Sequence, residues 1–343
     1  MNIGIVITPE RSRNKIIKAL KEEQVDYTFI NLIDDNWLDY FKGQFDGYLI
    51  YPPSFPYEWK NLFFKRLYYI NDLIKDRMTP NLQAISIYES KIAMHDFYKA
   101  NNIPHIKANT FYNLQDALEY SHGCKLPVVV KEDEGSSSVG VNIFKDRKKL
   151  IKMIKKSFYF NNQITKKLNF KNIKSKLSPY KKNFNIALNT KWNYFPSNTK
   201  RVGFIHIQSY EKIKYEWRII RIGESYFGHK KLEDEEGFHS GSLRKGWGEI
   251  PIQILNLVKE VSDKINFDNT SFDLFETSNG ELYFNEIQVM FGVSTEEQLI
   301  VNNVPGRYIF RNDNWIFDPG NYSRNGCNNM RIKHLKKILE NNK

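Results

Sequence analysis

Three oxygen-bearing side chains are set to converge within residues 271–288. Asp273 stands near the start of one apolar strand and Glu286 near the end of the next. Between them, Thr277-Ser-Asn-Gly280 is turn chemistry, with Asn279-Gly280 the usual tight-hairpin pair. A hairpin folds Asp273 and Glu286 back beside each other. Gln288 lies two residues beyond Glu286, and the period of two along a strand puts both on one face. Hard cations take such ligands, and Mg²⁺ usually sits between a few carboxylates and the phosphates of a nucleotide. A solvated hairpin with scattered acids is the plain alternative, so the metal reading needs support from elsewhere in the chain.

Anion-binding residues supply it. Lys131 closes the apolar run 127–130 and precedes a small-residue loop with Gly135, Ser136, Ser137, Ser138 and Gly140. Small residues let backbone N–H groups approach phosphate oxygens, serine hydroxyls add donors, and the lysine adds a point charge. The loop is not a Walker A motif, and a plain turn would read the same way. Lys91 lies on a helix that Ser90 can cap; most helix lysines are merely solvated. Gln208-Ser-Tyr-Glu211 follows a strand, where an adenine can stack or strand-end polarity can suffice. Glu216 and Arg218 alternate around Trp217 and share a face, as an ion pair or as site residues. His229, Lys230 and Lys231 end the following strand, and His239-Ser-Gly-Ser242 is a small-residue loop beyond it.

The elements that must position these groups are legible in outline. Residues 2–8, 27–32, 46–51 and 83–87 read as strands, with helical spacing over 11–23 and around Leu62, Phe63, Leu67 and Ile70. Strand and helix alternate, which argues for a small parallel α/β domain over 1–88. No G-x-G-x-x-G follows the first strand, so dinucleotide binding is not supported. Residues 90–101 and 146–156 read as helices, and 127–131 and 141–144 as strands. Residues 204–208, 216–222 and 225–228 read as successive antiparallel strands. Helical spacing returns over 252–265, and 330–343 reads as a basic amphipathic helix with Ile332, Leu335 and Ile338 inward.

The order of the signals is more specific than any one of them. A lysine on a helix, a lysine before a Gly/Ser loop, a polar strand end, an arginine strand and then Asp…Glu-x-Gln resembles the ATP-grasp superfamily. The likeness is greatest to the D-alanine–D-alanine ligases and the ribosomal-protein glutamate ligases, and it covers nearly the whole chain. It implies an α/β (α+β) fold: the N-terminal domain 1–88, a central lid subdomain 89–203 and a C-terminal subdomain 204–343, with antiparallel sheets clamping ATP. It implies that Lys91 and Lys131 contact the phosphates under Ser136, Ser137 and Ser138. Gln208, Tyr210, Glu211 and Glu216 would serve adenine and ribose. Asp273, Glu286 and Gln288 would hold two Mg²⁺, or Mn²⁺ in their place. Arg218 and Lys230 would meet the substrate carboxylate and the transferred phosphoryl group. The implied activity is an ATP-dependent carboxylate–amine ligation through an acyl phosphate, on small-molecule or polymer-end substrates, and the family's habit is a homodimer. A kinase acting on a hydroxyl, or a non-catalytic binding module, are the other outcomes the scaffold allows. The chain departs from the family at Gln288, where Asn is usual, and at Lys131-Glu132, where Lys-Pro is common.

Composition bounds the rest. The chain has 343 residues, 41% hydrophobic and 15% aromatic, which suits a folded globular protein. Two cysteines exclude a disulfide framework and a zinc-type cluster, and point to a reducing, cytoplasmic setting. No apolar run is long enough to span a membrane, and residues 1–8 read as a strand, not a signal peptide. The net charge of +12 is concentrated. Residues 151–203 carry 13 Lys or Arg and no acid, so the remainder is close to neutral. This basic, aromatic-laced insert (157–201) is suited to an anionic polymer such as an acidic polysaccharide or acidic peptide, or is a solvated loop of biased composition. It has no recognised RNA-binding signature.

Overall fold

The inner N-terminal strands are buried along almost their whole length, as strands covered on both faces must be, while the edge strand 26–30 buries only Ile30. The four strands are Asn2–Ile7 (β1), Asp26–Ile30 (β2), Gly47–Tyr51 (β3) and Met78–Thr79 (β4), all parallel in the order β2-β1-β3-β4. Helices Asn14–Glu22 (α1) and Tyr57–Ile74 (α2) join them. The run expected as a strand at 83–87 is instead a short helix, Leu82–Ile87 (α3), and Met78–Thr79 takes the strand position. Asn81 decides this: its side chain accepts from Ala84 N and starts the helix. A short apolar run does not distinguish the two states by itself. This is a computed structural model, and it describes residues 1–9, 11–42, 45–54, 57–133, 140–158, 203–232, 244–293 and 295–342. Ser136, Ser137, Ser138, the loop around His239 and nearly all of the insert 157–201 lie outside the described residues.

The next unit begins with helix Lys91–Ala100 (α4) and continues as a four-stranded antiparallel sheet. Its strands are Ala108–Phe111 (β5), Val128–Lys131 (β6), Val141–Phe144 (β7) and Ile205–Ser209 (β8), in the order β5-β8-β6-β7. Helices Leu114–Gly123 (α5) and Arg147–Phe158 (α6) bury Ala117, Leu150 and Ile154 against Val128, Val130, Ile205 and Ile207.

The third unit is an eight-stranded antiparallel sheet. It comprises Ile213–Ile222 (β9), Ser225–Lys231 (β10), Lys245–Gly246 (β11), Asn269–Thr277 (β12), Leu282–Gln288 (β13), Ile300–Val301 (β14), Val304–Arg311 (β15) and Asn314–Pro319 (β16). The central order is β13-β12-β9-β10, with β11 and β15 both pairing to β10. Helix Ile252–Lys264 (α7) covers it through Ile254, Leu255, Val258 and Val261. The β12–β13 hairpin is the one expected, and Gly280 takes φ +81 in its turn. The last helix, Asn328–Asn341 (α8), turns back across the molecule. Its Ile332, Leu335 and Leu339 share a core with Ile3, Ile5 and Leu49, so the end of the chain packs on the first sheet. Among the described residues no helix is long and apolar enough to cross a membrane.

Candidate active site

Alternation along paired strands decides which side chains meet. In the large sheet, Glu286, Asp273, Arg218 and His229 are successive cross-strand partners on β13, β12, β9 and β10. Glu216, Lys231 and Lys245 form a second row on β9, β10 and β11. Directly paired residues share a face, and so do residues two apart. One face of this sheet is therefore a checkerboard of charge.

Its centre is closed to water. Asp273 is 0% exposed. Arg218 grips it with two donors, Nε to Oδ1 and Nη2 to Oδ2, both at 2.8 Å. Lys231 Nζ donates to Asp273 Oδ2 at 2.5 Å and to Glu216 Oε1 at 2.7 Å. Burial alone would raise the Asp273 carboxyl, but Arg218 and Lys231 hold it well below the usual range. Burial alone would lower Lys231, and Asp273 and Glu216 outweigh that and raise it.

A β-bulge links this network to the four-stranded sheet. The register between β12 and β13 shifts after Asp273, leaving Asn285 as the extra residue. The bulge brings Asn285 onto the same side as Glu286. Its Nδ2 donates to Glu216 Oε1 at 3.4 Å, and its Oδ1 accepts from Lys131 Nζ at 3.1 Å. Lys131 is thus poised at the junction of the two sheets. Burial drops its ammonium to about 8, with Glu286 resisting and Lys91 adding to the fall.

Lys91 reaches the same place through Asp133, two residues after Lys131. Asp133 Oδ1 accepts from Ser90 Oγ (2.7 Å) and Ile92 N (3.1 Å), and its carbonyl accepts from Lys91 N (3.0 Å). Ser90 caps α4 as expected, and Asp133 adds a carboxylate at the same helix end, where it suits the dipole. Lys91, Lys131, Gln208, Asn285 and Glu286 line one cleft, floored by Ile106, Ala108 and Phe284. His95, His105 and His206 also line it. His95 packs edge-on against the other two, at ring separations of 5.0 and 5.3 Å. Burial pulls His95 down to about 4 and His206 to about 3, so both are neutral near pH 7.

Several expected placements are corrected. Lys230 is on the opposite face of β10, its ammonium 4.0 Å from the Tyr215 ring centroid, and Lys231 holds the position expected for it. Glu216 is buried against Lys231 and Asn285, not open to a ribose. Tyr210 and Glu211 are exposed beyond the end of β8. Asp273 does share a face with Glu286, but both its oxygens are taken by cations. Gln288 Nε2 donates to Glu286 Oε2 at 2.7 Å, so those two stay together at the rim. Lys231 was recoverable from sequence. Ile222-Gly-Glu-Ser225 is a two-residue turn, with Gly223 at φ +57, and counting back from it pairs Lys231 with Glu216. Asn285 and Asp133 carried no such signal.

No protein-family model and no curated protein matches the chain. Solved structures do. A D-alanine–D-alanine ligase from Bacillus anthracis aligns over 100% of both chains at 13% identity, TM-score 0.55. D-alanyl-alanine synthetase A from Vibrio cholerae O1 aligns over 99% of both at 12% identity, TM-score 0.54. The biotin carboxylase domain of a Hydrogenobacter thermophilus 2-oxoglutarate carboxylase, solved with MgADP and bicarbonate, aligns over 85% of this chain and 64% of its own at 13% identity, TM-score 0.52. At these identities the likeness is one of fold, and the fold is ATP-grasp.

Removing one partner from a buried ion network leaves the others uncompensated. Asp273→Asn should therefore lower the unfolding free energy by about 3–5 kcal/mol. Glu286→Gln, at the rim, should change it by less than about 0.5 kcal/mol. Urea denaturation of the two variants measures both, and equal stabilities would contradict the assignment of Asp273 to the network.

Proposed function

We propose that the protein is an ATP-dependent ligase that joins a carboxylate to an amine, releasing ADP and phosphate. The observation that supports this best is the meeting of Lys91, Lys131 and Glu286 in one cleft beside a sheet face of fixed charge. Two lysines from separate elements serve a polyphosphate, and an acid opposite them serves its counter-cation.

The donor set at the rim fits Mg²⁺ in part. Glu286 and the Gln288 amide oxygen are hard ligands on one face, and among the described residues no group of three His, Cys, Asp or Glu is placed to hold a metal alone. Such a pair leaves room for phosphate oxygens, which Mg²⁺ favours. Bound there, the ion would neutralise phosphate charge. In this reading Asp273 is a positioning residue: it orients Arg218 and Lys231 and is not a ligand in its own right.

The remaining chemistry belongs to the chain. Lys91 and Lys131 hold the phosphates, with Ser136, Ser137 and Ser138 assigned to the same anion from sequence. Arg218 and Lys231, fixed by Asp273, face the reacting centre with their positive potential already organised, at no cost of reorientation during reaction. A substrate carboxylate oxygen attacks the γ-phosphoryl group, forming the acyl phosphate and releasing ADP. The amine then attacks the acyl carbon and phosphate departs. Positioning and charge neutralisation are the protein's contribution, as in other phosphoryl transfers. The basic insert 157–201 is the natural place for an anionic polymer-end substrate, on its charge alone.

Incubation with MgATP, pooled carboxylates and pooled amines should give substrate-dependent ADP together with free phosphate. Phosphate retained on a substrate would mean a kinase, and ADP binding without turnover a binding module; either replaces this reading. Glu286→Gln should cut turnover by at least about 100-fold, the loss expected of a group that stabilises transferring charge. Nucleotide affinity should also depend on pH. Lys131 loses its proton as pH rises through about 8, so the anion loses a partner above that value and keeps it below. The Kd for ADP should rise by up to about tenfold from pH 7 to pH 9, one decade per unit past the pKa, and Lys131→Arg should flatten the rise because guanidinium stays charged.

A further inference from the structure

The charged rows do not end at the proposed nucleotide cleft. They run on from β9 to β10 and β11, two strand spacings or roughly 10 Å beyond Arg218. Lys245 stands there, paired in register with Lys231. The two lysines differ in one respect. Lys231 is neutralised by Asp273 and Glu216. Among the described residues Lys245 is held only by neutral oxygens, Thr295 Oγ1 and the Glu297 carbonyl. Burial pulls its ammonium down to about 8, and Arg218 adds to the fall. A half-buried cation with no carboxylate hydrogen-bonded to it among the described residues gains more from an arriving anion than one already paired.

Two further groups near Lys245 have polar side-chain atoms without a hydrogen-bond partner among the described residues. Trp247 lies between Lys245, 5.3 Å from its ring, and the His229 ring, 5.5 Å away. His229 is 1% exposed, and its Nδ1 donates to the Gln298 carbonyl at 3.3 Å. Burial keeps the ring neutral, down to about 3, with Lys245 next in effect. Nε2 is then an acceptor, and among the described residues it has no hydrogen-bond partner. Gln298 is 0% exposed, and among the described residues neither polar atom of its amide has a partner. Gln298 follows Glu297, whose carbonyl holds Lys245, and buried polar atoms in a native fold are normally satisfied, so these exceptions mark where a ligand can supply the missing partners.

We propose that Lys245 and His229, which both meet the Trp247 ring, form with the adjoining Gln298 a subsite for a carboxylate that carries an adjacent amide or amine N–H. The anion takes Lys245. The N–H takes the lone pair of His229 Nε2 or the amide oxygen of Gln298, which a bare carboxylate cannot satisfy. Arg218 and Lys231 nearby are already committed to Asp273, so Lys245 suits a singly charged planar group better than a phosphate, for which Lys91 and Lys131 are grouped elsewhere. Only the naming of the ligand as the substrate of an ATP-driven joining reaction rests on the ligase reading; the subsite itself rests on these contacts.

The probes are N-acetylglycine, methoxyacetate, which lacks the N–H, and N-methylacetamide, which lacks the charge. Each is titrated by calorimetry or ligand-observed NMR into the full chain, with and without MgADP. N-Acetylglycine should bind most tightly, and Lys245→Met should weaken it by about tenfold or more, while Lys245→Arg stays within about threefold of the parent. MgADP affinity should be the same in all three proteins. Absence of N-acetylglycine binding, unchanged binding in Lys245→Met, or equal binding of N-methylacetamide would overturn the subsite. Failure of the parent protein to bind MgADP, with Lys245-dependent carboxylate binding intact, would overturn the ligase reading and uphold the subsite.

Discussion

Everything at the centre of this protein depends on one buried carboxylate. Asp273 has no contact with water and holds Arg218 and Lys231 by three donors. Placing such charges in a low-dielectric interior costs several kcal/mol per ion, and only close geometry with all lone pairs used offsets it. Glu216 completes that geometry by sharing Lys231, and Asn285 carries it on to Lys131. Two sheets that share no strand are thereby joined by polar contacts. The lysine of the smaller sheet is fixed relative to the acid of the larger one before any ligand arrives.

This constraint explains why the site is built on strands. A cross-strand row sets charges at regular intervals of roughly 5 Å, with faces fixed by alternation. The row from Glu286 to His229 therefore presents acid, acid, base and neutral imidazole in an order no loop would keep. The bulge at Asn285 interrupts the β12–β13 ladder, and it re-aims a side chain where the two sheets meet. Asp133 does the same work from the other side, capping α4 so that Lys91 and Lys131 face one cleft.

What the sequence reveals follows from what each signal measures. Hairpin chemistry and period-two alternation are local, so the β12–β13 hairpin and the pairing of Asp273 with Glu286 are readable. Ser90 as a helix cap is readable for the same reason. The strand assigned to 83–87 fails because a short apolar run fits either state, and Asn81 tips it towards a helix. Lys230 in place of Lys231 is a parity error of one residue, which moves a side chain to the other face. The commitment of Asp273 to two cations, the bulge at Asn285 and the reach of Asp133 are long-range facts. Asp273 meets its cations from 55 and 42 residues away, Asp133 reaches Ser90 across 43, and Asn285 meets Lys131 across 154, and no local pattern encodes those meetings.

The central claim is that the nucleotide phosphates rest between Lys91, Lys131 and Glu286, over a charge network that stays intact beneath them. A crystal structure with ADP and Mg²⁺ tests it most directly. The account predicts the diphosphate within hydrogen-bond reach of both lysines, the ion on Glu286 and Gln288, and Asp273 still gripped by Arg218. A nucleotide bound outside this cleft, or an Asp273 released from Arg218 to serve as the main metal ligand, would contradict it.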